Sequence, residues 1–249
     1  MFVDLQNHLV LVTGGTRGIG RAIVDGLWRS GAKVAFTFQR EAQLAKEMVE
    51  AAHRDGKNAW AFQLESGNAG AANELVERIE SECGEIYGLV NNAGITRDRA
   101  FLMMSLENWD QVVQVNLNGT AYMSRAVLGR LINRKQGKVV NLSSVSGIKA
   151  SPGQANYSAT KAALIALTKT LSHEVARFGI QVNAVAPGFI NTEMVTSMPE
   201  QMQRQLPKSI PLRRLGRVDE VADAVLYLLS QHADYITGHT LIIDGGLSA

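Results

Sequence analysis

Along the chain, short runs of apolar, β-branched and aromatic residues alternate with longer stretches in which apolar positions recur every three or four residues. HLVLVT (8–13), KVAFTF (33–38), NAWAFQL (58–64), IYGLVNN (86–92), GKVVNLS (137–143), IQVNAVA (180–186) and HTLIID (239–244) predict seven strands. Several of these runs are apolar at consecutive positions, so both faces must be covered, as in a parallel sheet packed between helices. RAIVDGLWRSG (21–31), EAQLAKEMVEAAHRDG (41–56) and NELVERIESECG (73–84) carry the helical period, and each closes on a glycine. Strands alternating with helices along the whole length predict right-handed βαβ units and an α/β, doubly wound, seven-stranded parallel sheet. With 249 residues and no repeat or low-complexity linker, residues 1–249 are expected to form a single domain. Only residues 187–217 break the alternation: they hold four of the five prolines and exceed an ordinary connection in length.

Charge and cysteine content narrow the partners. The 25 basic and 23 acidic residues are dispersed and leave a net charge of +2, so neither a nucleic-acid stripe nor a polybasic membrane tail is expected. Cys83 stands alone and cannot form an internal disulfide, and the opening MFVDLQNHLV lacks the pattern of a signal peptide. No apolar run approaches the roughly 20 residues needed to span a bilayer. A soluble cytoplasmic protein is the expectation. The histidines at 8, 53, 173, 232 and 239 lack metal-ligand spacing, and no metal is expected.

The stretch LVLVTGGTRGIGRAI (9–23) concentrates glycine at 14, 15, 18 and 20 between the first strand and a helix starting near Ile19. Such a turn sets backbone N–H groups and a helix N-terminus at the carboxyl edge of the sheet, where a pyrophosphate can be held. The same glycines also suit a tight turn without a ligand, and the G-x-x-x-G-x-G spacing differs from the commoner dinucleotide fingerprint. NNAG (91–94) ends the fourth strand in small residues against which a flat adenosine or ribose can lie, and SSVSG (143–147) places hydroxyls at the end of the fifth. Tyr157 and Lys161 in YSATK are four apart in a helical segment and share one face. A phenol near pKa 10 is a poor acid or base at neutral pH, and an ammonium beside it is expected to draw that value down. Each residue also has an ordinary reading: a half-buried aromatic, a solvated lysine, a turn serine.

Taken together, TGGTRGIG, NNAG, Asn116 in QVNLNGT, Ser144, Tyr157, Lys161, PGFINTEM and ITGHTLIIDGG resemble the short-chain dehydrogenases/reductases over essentially the whole chain. NNAGITRD, GQANYSATKAALIALTK and VNAVAPGFINTEM are most similar to the bacterial 3-oxoacyl-acyl-carrier-protein reductases. The resemblance implies a Rossmann-type fold and hydride delivery from a nicotinamide to a carbonyl carbon. It assigns Tyr157 as proton donor, Ser144 as the group polarising the carbonyl, Lys161 as partner of the tyrosine and the nicotinamide ribose, and the Asn116 carbonyl as holder of a water in the proton path. It implies cofactor contacts from Gly14, Gly15, Thr16, Arg17, Gly18, Ile19, Gly20, Arg40, Leu64, Asn92, Ala93, Gly94, Tyr157, Lys161, Pro187, Gly188, Ile190 and Thr192. Ser143 and Ser146 are rivals to Ser144, which the thirteen-residue interval to Tyr157 favours.

Two departures bear on cofactor choice. Gln63 and Leu64 stand where relatives commonly have an acidic or amide residue followed by valine, which puts the adenine contact in doubt. The second strand ends TFQREAQ without an aspartate for a ribose 2′-hydroxyl, while Arg17 and Arg40 can face a 2′-phosphate, so NADPH (NADP+) is expected. Residues 187–217 are expected to form a substrate lid, with Met194, Met198 and Met202 along one helix face beside Leu206; ordinary helix packing explains the same spacing.

Three functions stay open: a reductase of 3-oxoacyl chains on acyl carrier protein in fatty-acid, polyketide or aryl-polyene synthesis, an oxidoreductase of free small ketones or acetoacetyl-CoA, and a cofactor-binding sensor. The complete set Asn116, Ser144, Tyr157 and Lys161 argues against a sensor. Arg130, Arg134, Lys135 and Arg177 either receive an acidic carrier protein or are solvated helix ends. Apolar faces carrying Trp109, Val112, Val113 and Tyr122, and Leu164, Leu167 and Leu171, together with the resemblance, imply a homotetramer.

Overall fold

The computed structural model describes residues 3–196 and 200–249, apart from the side chains of Met194 and Met202. Its strands are β1 (Leu9–Val12), β2 (Lys33–Phe38), β3 (Ala59–Gln63), β4 (Ile86–Asn91), β5 (Gly137–Leu142), β6 (Ile180–Pro187) and β7 (Thr240–Ile243). They form one seven-stranded sheet in the order β3-β2-β1-β4-β5-β6-β7, every pairing parallel. The α/β, doubly wound architecture expected from the hydrophobic pattern is therefore the one observed. Its strand order reverses between β1 and β4, and the crevice outside their carboxyl ends is the place where such sheets bind ligands.

Helices α1 (Gly18–Arg29), α2 (Ala42–Arg54), α3 (Ala69–Cys83), α4 (Leu106–Val112), α5 (Gly119–Arg134), α6 (Ala155–Val175), α7 (Glu193–Thr196), α8 (Glu200–Ser209) and α9 (Val218–Leu229) connect the strands. The period of two in β1 divides its side chains between two cores. Val10 and Val12 pack with Ile23, Leu27, Phe36 and Val225 beneath α1 and α9. Leu9 and Leu11 pack with Ile79, Leu89, Met123 and Val127 beneath α3 and α5. All four β1 side chains are at most 2% exposed, which is why this strand reads as an unbroken apolar run. Each such burial contributes about 1.5–3 kcal/mol relative to an exposed side chain.

The helix ends follow their sequence signals. Asn68 Oδ1 accepts from Ala71 N at 3.1 Å to start α3, and Ser105 Oγ accepts from Asn108 N at 3.2 Å to start α4. Gly31, Gly56 and Gly84, just past α1, α2 and α3, all have positive φ. Between α4 and α5 the chain widens into a π-helical segment, Val113–Asn118, so residues 106–134 run as one helix with a bulge. Beneath it a buried polar chain crosses the sheet: Asn91 Nδ2 donates to Ser124 Oγ and Asn141 Oδ1, and Asn141 Nδ2 to Thr168 Oγ1, all at 2.9 Å. These bonds pin α5 and α6 to the carboxyl end of the sheet, where the site lies.

Candidate active site

β1 ends at the switch point, and the residue after it joins two strands. Thr13 Oγ1 accepts from both Asn92 N and Ala93 N at 3.0 Å, and Asn92 Nδ2 donates to Thr13 O at 3.0 Å and Gly14 O at 2.9 Å. The glycine turn and NNAG are thereby one rigid rim. Thr13 was absent from the expected site; its place ahead of the glycines was the only sequence signal.

The glycines of the turn have different reasons. Gly14 and Gly18 have φ +68° and +56°. A Cβ on Gly20 would lie 2.0 Å from Gly14 O, and one on Gly15 would lie 2.6 Å from Phe36 Cβ, so the turn's own packing requires both. At Gly18 the nearest atom to such a Cβ is Thr192 Cγ2 at 3.8 Å, and this part of the turn faces the crevice. Thr16 is buried and Ile19 packs against the core. Across the crevice, Pro187 ends β6, Gly188 N donates to Ile243 O at 2.9 Å, and Ile190 bridges to Gly216.

The rest of the cofactor set lies along the same rim. Leu64 is buried, and with Asn68, Asn91, Ala93, Val115 and Thr120 it lines a pocket beside the turn. Asn91 Oδ1, buried and without a hydrogen-bond partner, leaves an acceptor in the neighbourhood of that pocket. Gln63 is exposed and donates to Gln39 O at 3.0 Å. An open glycine turn at a helix N-terminus fits the pyrophosphate of a dinucleotide.

Arg17 is 65% exposed at its side chain, with Nη1 3.5 Å from Glu41 Oε1 and 3.7 Å from Glu193 Oε2. Arg40 is exposed next to Glu41. The absence of an aspartate at the end of β2 therefore does not leave the place free of carboxylates: Glu41, just before α2, supplies one. Its position beyond the strand end hid it from a reading aimed at the strand.

Asn116 lies in the π-helical segment and is fully buried. Its side chain grips the loop after β4, with Oδ1 accepting from Ile95 N at 2.8 Å and Nδ2 donating to Ile95 O at 2.9 Å. Its carbonyl accepts from Thr120 Oγ1 at 2.9 Å. Gly94 lies between this residue and Lys161: a Cβ there would be 3.3 Å from Asn116 Oδ1 and 3.6 Å from Lys161 Nζ.

The three serines separate by their partners. Ser143 Oγ donates to the backbone carbonyl of Lys161 at 2.7 Å, and Ser146 Oγ donates to Gln154 Oε1 at 3.0 Å. Ser144 Oγ accepts from Ser146 N at 3.1 Å and is the one of the three serines whose hydroxyl lowers the pKa of Tyr157. One helical turn beyond Tyr157, Lys161 is 4% exposed, its Nζ 5.5 Å from the Tyr157 ring centroid and 2.6 Å from Leu142 O.

The electrostatics correct the expectation for the phenol. Burial pushes Tyr157 up to about 12; the Ser144 hydrogen bond opposes this and the Asp98 carboxylate adds to it. The ammonium does not overcome that cost, because burial also brings Lys161 down to about 8. At neutral pH the phenol is thus protonated and the lysine charged, a pair able to give protons to an oxygen placed against Tyr157 and Ser144.

Other expectations are revised. Arg134 donates to both Glu80 oxygens, at 2.7 and 2.9 Å, and lies 3.3 Å from Glu85, while Arg130 pairs with Glu77 at 3.3 Å; these charges tie α5 to its neighbours instead of standing free for a partner. Arg177 stacks on Phe178 with its guanidinium carbon 4.8 Å from the ring centroid. Val112 and Leu164 are buried within the protomer and offer no outer face. Of the methionine stripe, Met198 and the side chains of Met194 and Met202 lie outside the described residues; Leu206 is partly buried on α8. Among the described residues, no group of three His, Cys, Asp or Glu could hold a metal ion, and no helix is long and apolar enough to cross a membrane.

Comparison with known proteins agrees with this geometry. A family model described as Enoyl-(Acyl carrier protein) reductase matches residues 14–248. The chain is 42% identical over 247 residues to the 3-oxoacyl-(acyl-carrier-protein) reductase FabG of Aquifex aeolicus, covering 99% of this chain and 100% of that one. It is 39% identical to the protein of the same name from Staphylococcus epidermidis, covering 97% and 99%, and 43% identical to the acetoacetyl-CoA reductase of a Synechocystis strain, covering 98% and 97%. With its parallel sheet, its glycine turn at the switch point and its Ser144, Tyr157 and Lys161 gathered beside that turn, the chain belongs to the short-chain dehydrogenase/reductase family of oxidoreductases.

Proposed function

We propose that this protein reduces 3-oxoacyl thioesters carried on acyl carrier protein to 3-hydroxyacyl thioesters, with NADPH as reductant. The observation that carries the reading is the meeting of the Ser144 hydroxyl, the Tyr157 phenol and the Lys161 ammonium beside the glycine turn. Relatives about 40% identical over nearly their full length bear this activity in their names. When bound, NADPH supplies the hydride.

The chain's own residues supply the rest. The turn from Gly14 to Gly20, with Asn92, Ala93 and Gly94, holds the dinucleotide; Leu64 bounds its base; Pro187, Gly188, Ile190 and Thr192 close the far side. Arg17, aided by Arg40, receives a 2′-phosphate in place of its carboxylate partners, the better neutralised by a bidentate guanidinium. Ser144 donates a hydrogen bond to the ketone oxygen and Tyr157 gives it a proton as negative charge develops there. Lys161 and a water on the Asn116 carbonyl restore the phenol. Residues 187–217 cover the acyl chain, one domain carries the whole reaction, and the protein works in the cytoplasm as a homotetramer.

The Synechocystis relative favours a second reading, reduction of acetoacetyl-CoA, which uses the same chemistry on a different carrier. Initial rates of NADPH oxidation with acetoacetyl-carrier-protein, acetoacetyl-CoA and a panel of free ketones separate the two. The proposal expects the highest kcat/KM for the carrier-protein thioester. Preference for a free ketone by tenfold or more overturns it.

A further inference from the structure

A chain of hydrogen bonds leads from Ser144 to the outer edge of the site through residues that the reaction as described leaves unused. Ser146 N donates to Ser144 Oγ at 3.1 Å; Ser146 Oγ donates to Gln154 Oε1 at 3.0 Å; Gln154 Nε2 donates to Asp98 Oδ2 at 2.8 Å. Ser151 Oγ adds a bond to Ser146 Oγ at 3.1 Å. The two segments joined by Gln154 are also joined through their backbones, Arg99 N donating to Gly153 O at 2.8 Å and Asn156 Nδ2 to Arg97 O at 3.2 Å. Gln154 is therefore the side chain through which the loop after β4 reaches the serine loop after β5.

The donor and acceptor counts give this chain a direction. Asp98, ionised, only accepts, so it takes an N–H from Gln154 and fixes which way the amide points. The amide oxygen then faces Ser146 and accepts its only hydroxyl proton. Ser146 is held with its backbone N–H on Ser144 Oγ, occupying an acceptor site there. Ser144 keeps one O–H to give and one lone pair that can still accept. A serine free to rotate would divide its proton among several acceptors; with one acceptor site filled by the Ser146 N–H, this hydroxyl is turned toward the site before a substrate arrives.

We propose that Gln154, oriented by Asp98, is a positioning residue for the reduction, holding Ser146 so that Ser144 presents its hydroxyl proton to the ketone oxygen. This rests on the reading of Ser144 as the carbonyl's hydrogen-bond donor. Asp98 has a second effect, because its charge acts on Tyr157. The groups that shift the phenol are Asp98 from the loop after β4 and Ser144 from the loop after β5, with the Lys161 ammonium on α6 facing the ring.

The test uses the full-length enzyme with acetoacetyl-CoA and NADPH, and variants Gln154→Leu, Gln154→Glu and the pair Gln154→Glu with Asp98→Asn. Gln154→Leu should lower kcat by about ten- to a hundredfold, the range for loss of alignment at a reacting group, with the Kd for NADPH measured by fluorescence within twofold of wild type. Gln154→Glu places two carboxylates together and should lose a comparable factor. In the double variant an amide at 98 donates to a carboxylate at 154, which still accepts from Ser146, and at least half of the lost logarithm of kcat should return. A merely structural contact would not produce this exchange.

Asp98→Asn alone gives a readout independent of turnover. With tyrosine labelled by ¹³C at Cζ and Tyr157→Phe used for assignment, the onset of Tyr157 ionisation should move to lower pH than in wild type. Wild-type kcat in Gln154→Leu at an unchanged melting temperature overturns the proposal, as does the absence of rescue in a double variant that melts like wild type. If Gln154→Leu or the double variant melts early, Gln154→Asn, assayed below its melting transition, decides: wild-type kcat overturns the proposal, and a loss of kcat of about ten- to a hundredfold at an unchanged Kd for NADPH supports it. Failure of the wild type to reduce any 3-oxoacyl thioester would instead reject the function proposed above.

Discussion

At Tyr157 and Lys161, two side chains of one helix face meet opposite demands from burial. The phenol is neutral when protonated and so keeps its proton more tightly, whereas the lysine is charged when protonated and loses its proton more readily. Tyr157→Phe removes the proton donor while leaving the ring, so turnover should fall at least a thousandfold with NADPH affinity unchanged; residual activity above a tenth of wild type would refute the assignment. The lysine carries a linkage effect of definite sign. Between about 8 and 10.5 the unfolded chain holds a proton on Lys161 that the folded one has lost, so stability rises with pH across that window. Relative to Lys161→Met, wild type should gain stability, on the order of 3 kcal/mol at most, between pH 7.5 and 10.5 in urea titrations. Arg17 concerns cofactor choice. A charge-assisted bond contributes roughly 1.5–3 kcal/mol, so Arg17→Ala should reduce the NADPH-to-NADH ratio of kcat/KM by about tenfold or more. Glu41→Gln, which removes a carboxylate from the same place, should raise that ratio. An Arg17→Ala variant with an unchanged ratio would mean that the turn does not sense the 2′ position.

At the scale of elements, the turn between β1 and α1 shows how sequence and packing share the work. Four glycines in seven residues are plain in the sequence, yet their reasons are not: Gly18 borders the crevice, whereas Gly20 is required because a Cβ there would lie 2.0 Å from Gly14 O. Gly20→Ala should therefore disrupt the turn itself and lower the melting temperature, with or without NADPH; a variant with wild-type stability would refute this. Between α3 and α5, Glu80 accepts two bonds from Arg134 and one from Ile86 N, which hold its carboxyl below the usual range against the opposing effect of burial. Glu80→Gln should cost about 1–3 kcal/mol in urea denaturation at pH 7, with less difference as pH falls below the carboxylate range and wild type itself loses the charge. Glu80 and Arg134 are 54 residues apart, and the packing of α5 against α3 makes them a pair.

For the whole molecule, the exposed apolar side chains are where assembly is decided. Leu102 is 94% exposed, with Phe101, Met103 and Leu106 beside it, and Tyr235 stands fully exposed near the β7 edge of the sheet. The helix faces singled out from sequence carry less of this surface than their periodicity suggested, since Val112 and Leu164 turn inward. The homotetramer proposed above predicts a single species of about four chains in sedimentation at micromolar concentration. Leu102→Glu and Tyr235→Glu, each placing a charge on one exposed patch, should shift it toward smaller species if the patch is buried between subunits. A monomer as the only wild-type species would refute the assembly.

The sequence by itself determined the strand and helix alternation, hence the parallel sheet, because periods of 2 and 3.6 are local properties of the chain. It also determined that Tyr157 and Lys161 share a face, since four residues make about one helical turn. Which serine meets the tyrosine was legible only through resemblance. The tertiary structure shows what the other two serines do, engaging Ser143 with the Lys161 carbonyl and Ser146 with Gln154. The same holds for Arg17 between Glu41 and Glu193, for Arg134 on Glu80, and for the direction of the Tyr157 shift. Each depends on residues far apart in the chain being brought within a few ångströms, or on the depth to which a charge is withdrawn from water. Neither quantity has a local signature: a side chain's partners and its solvation come into being when the layers close around the sheet.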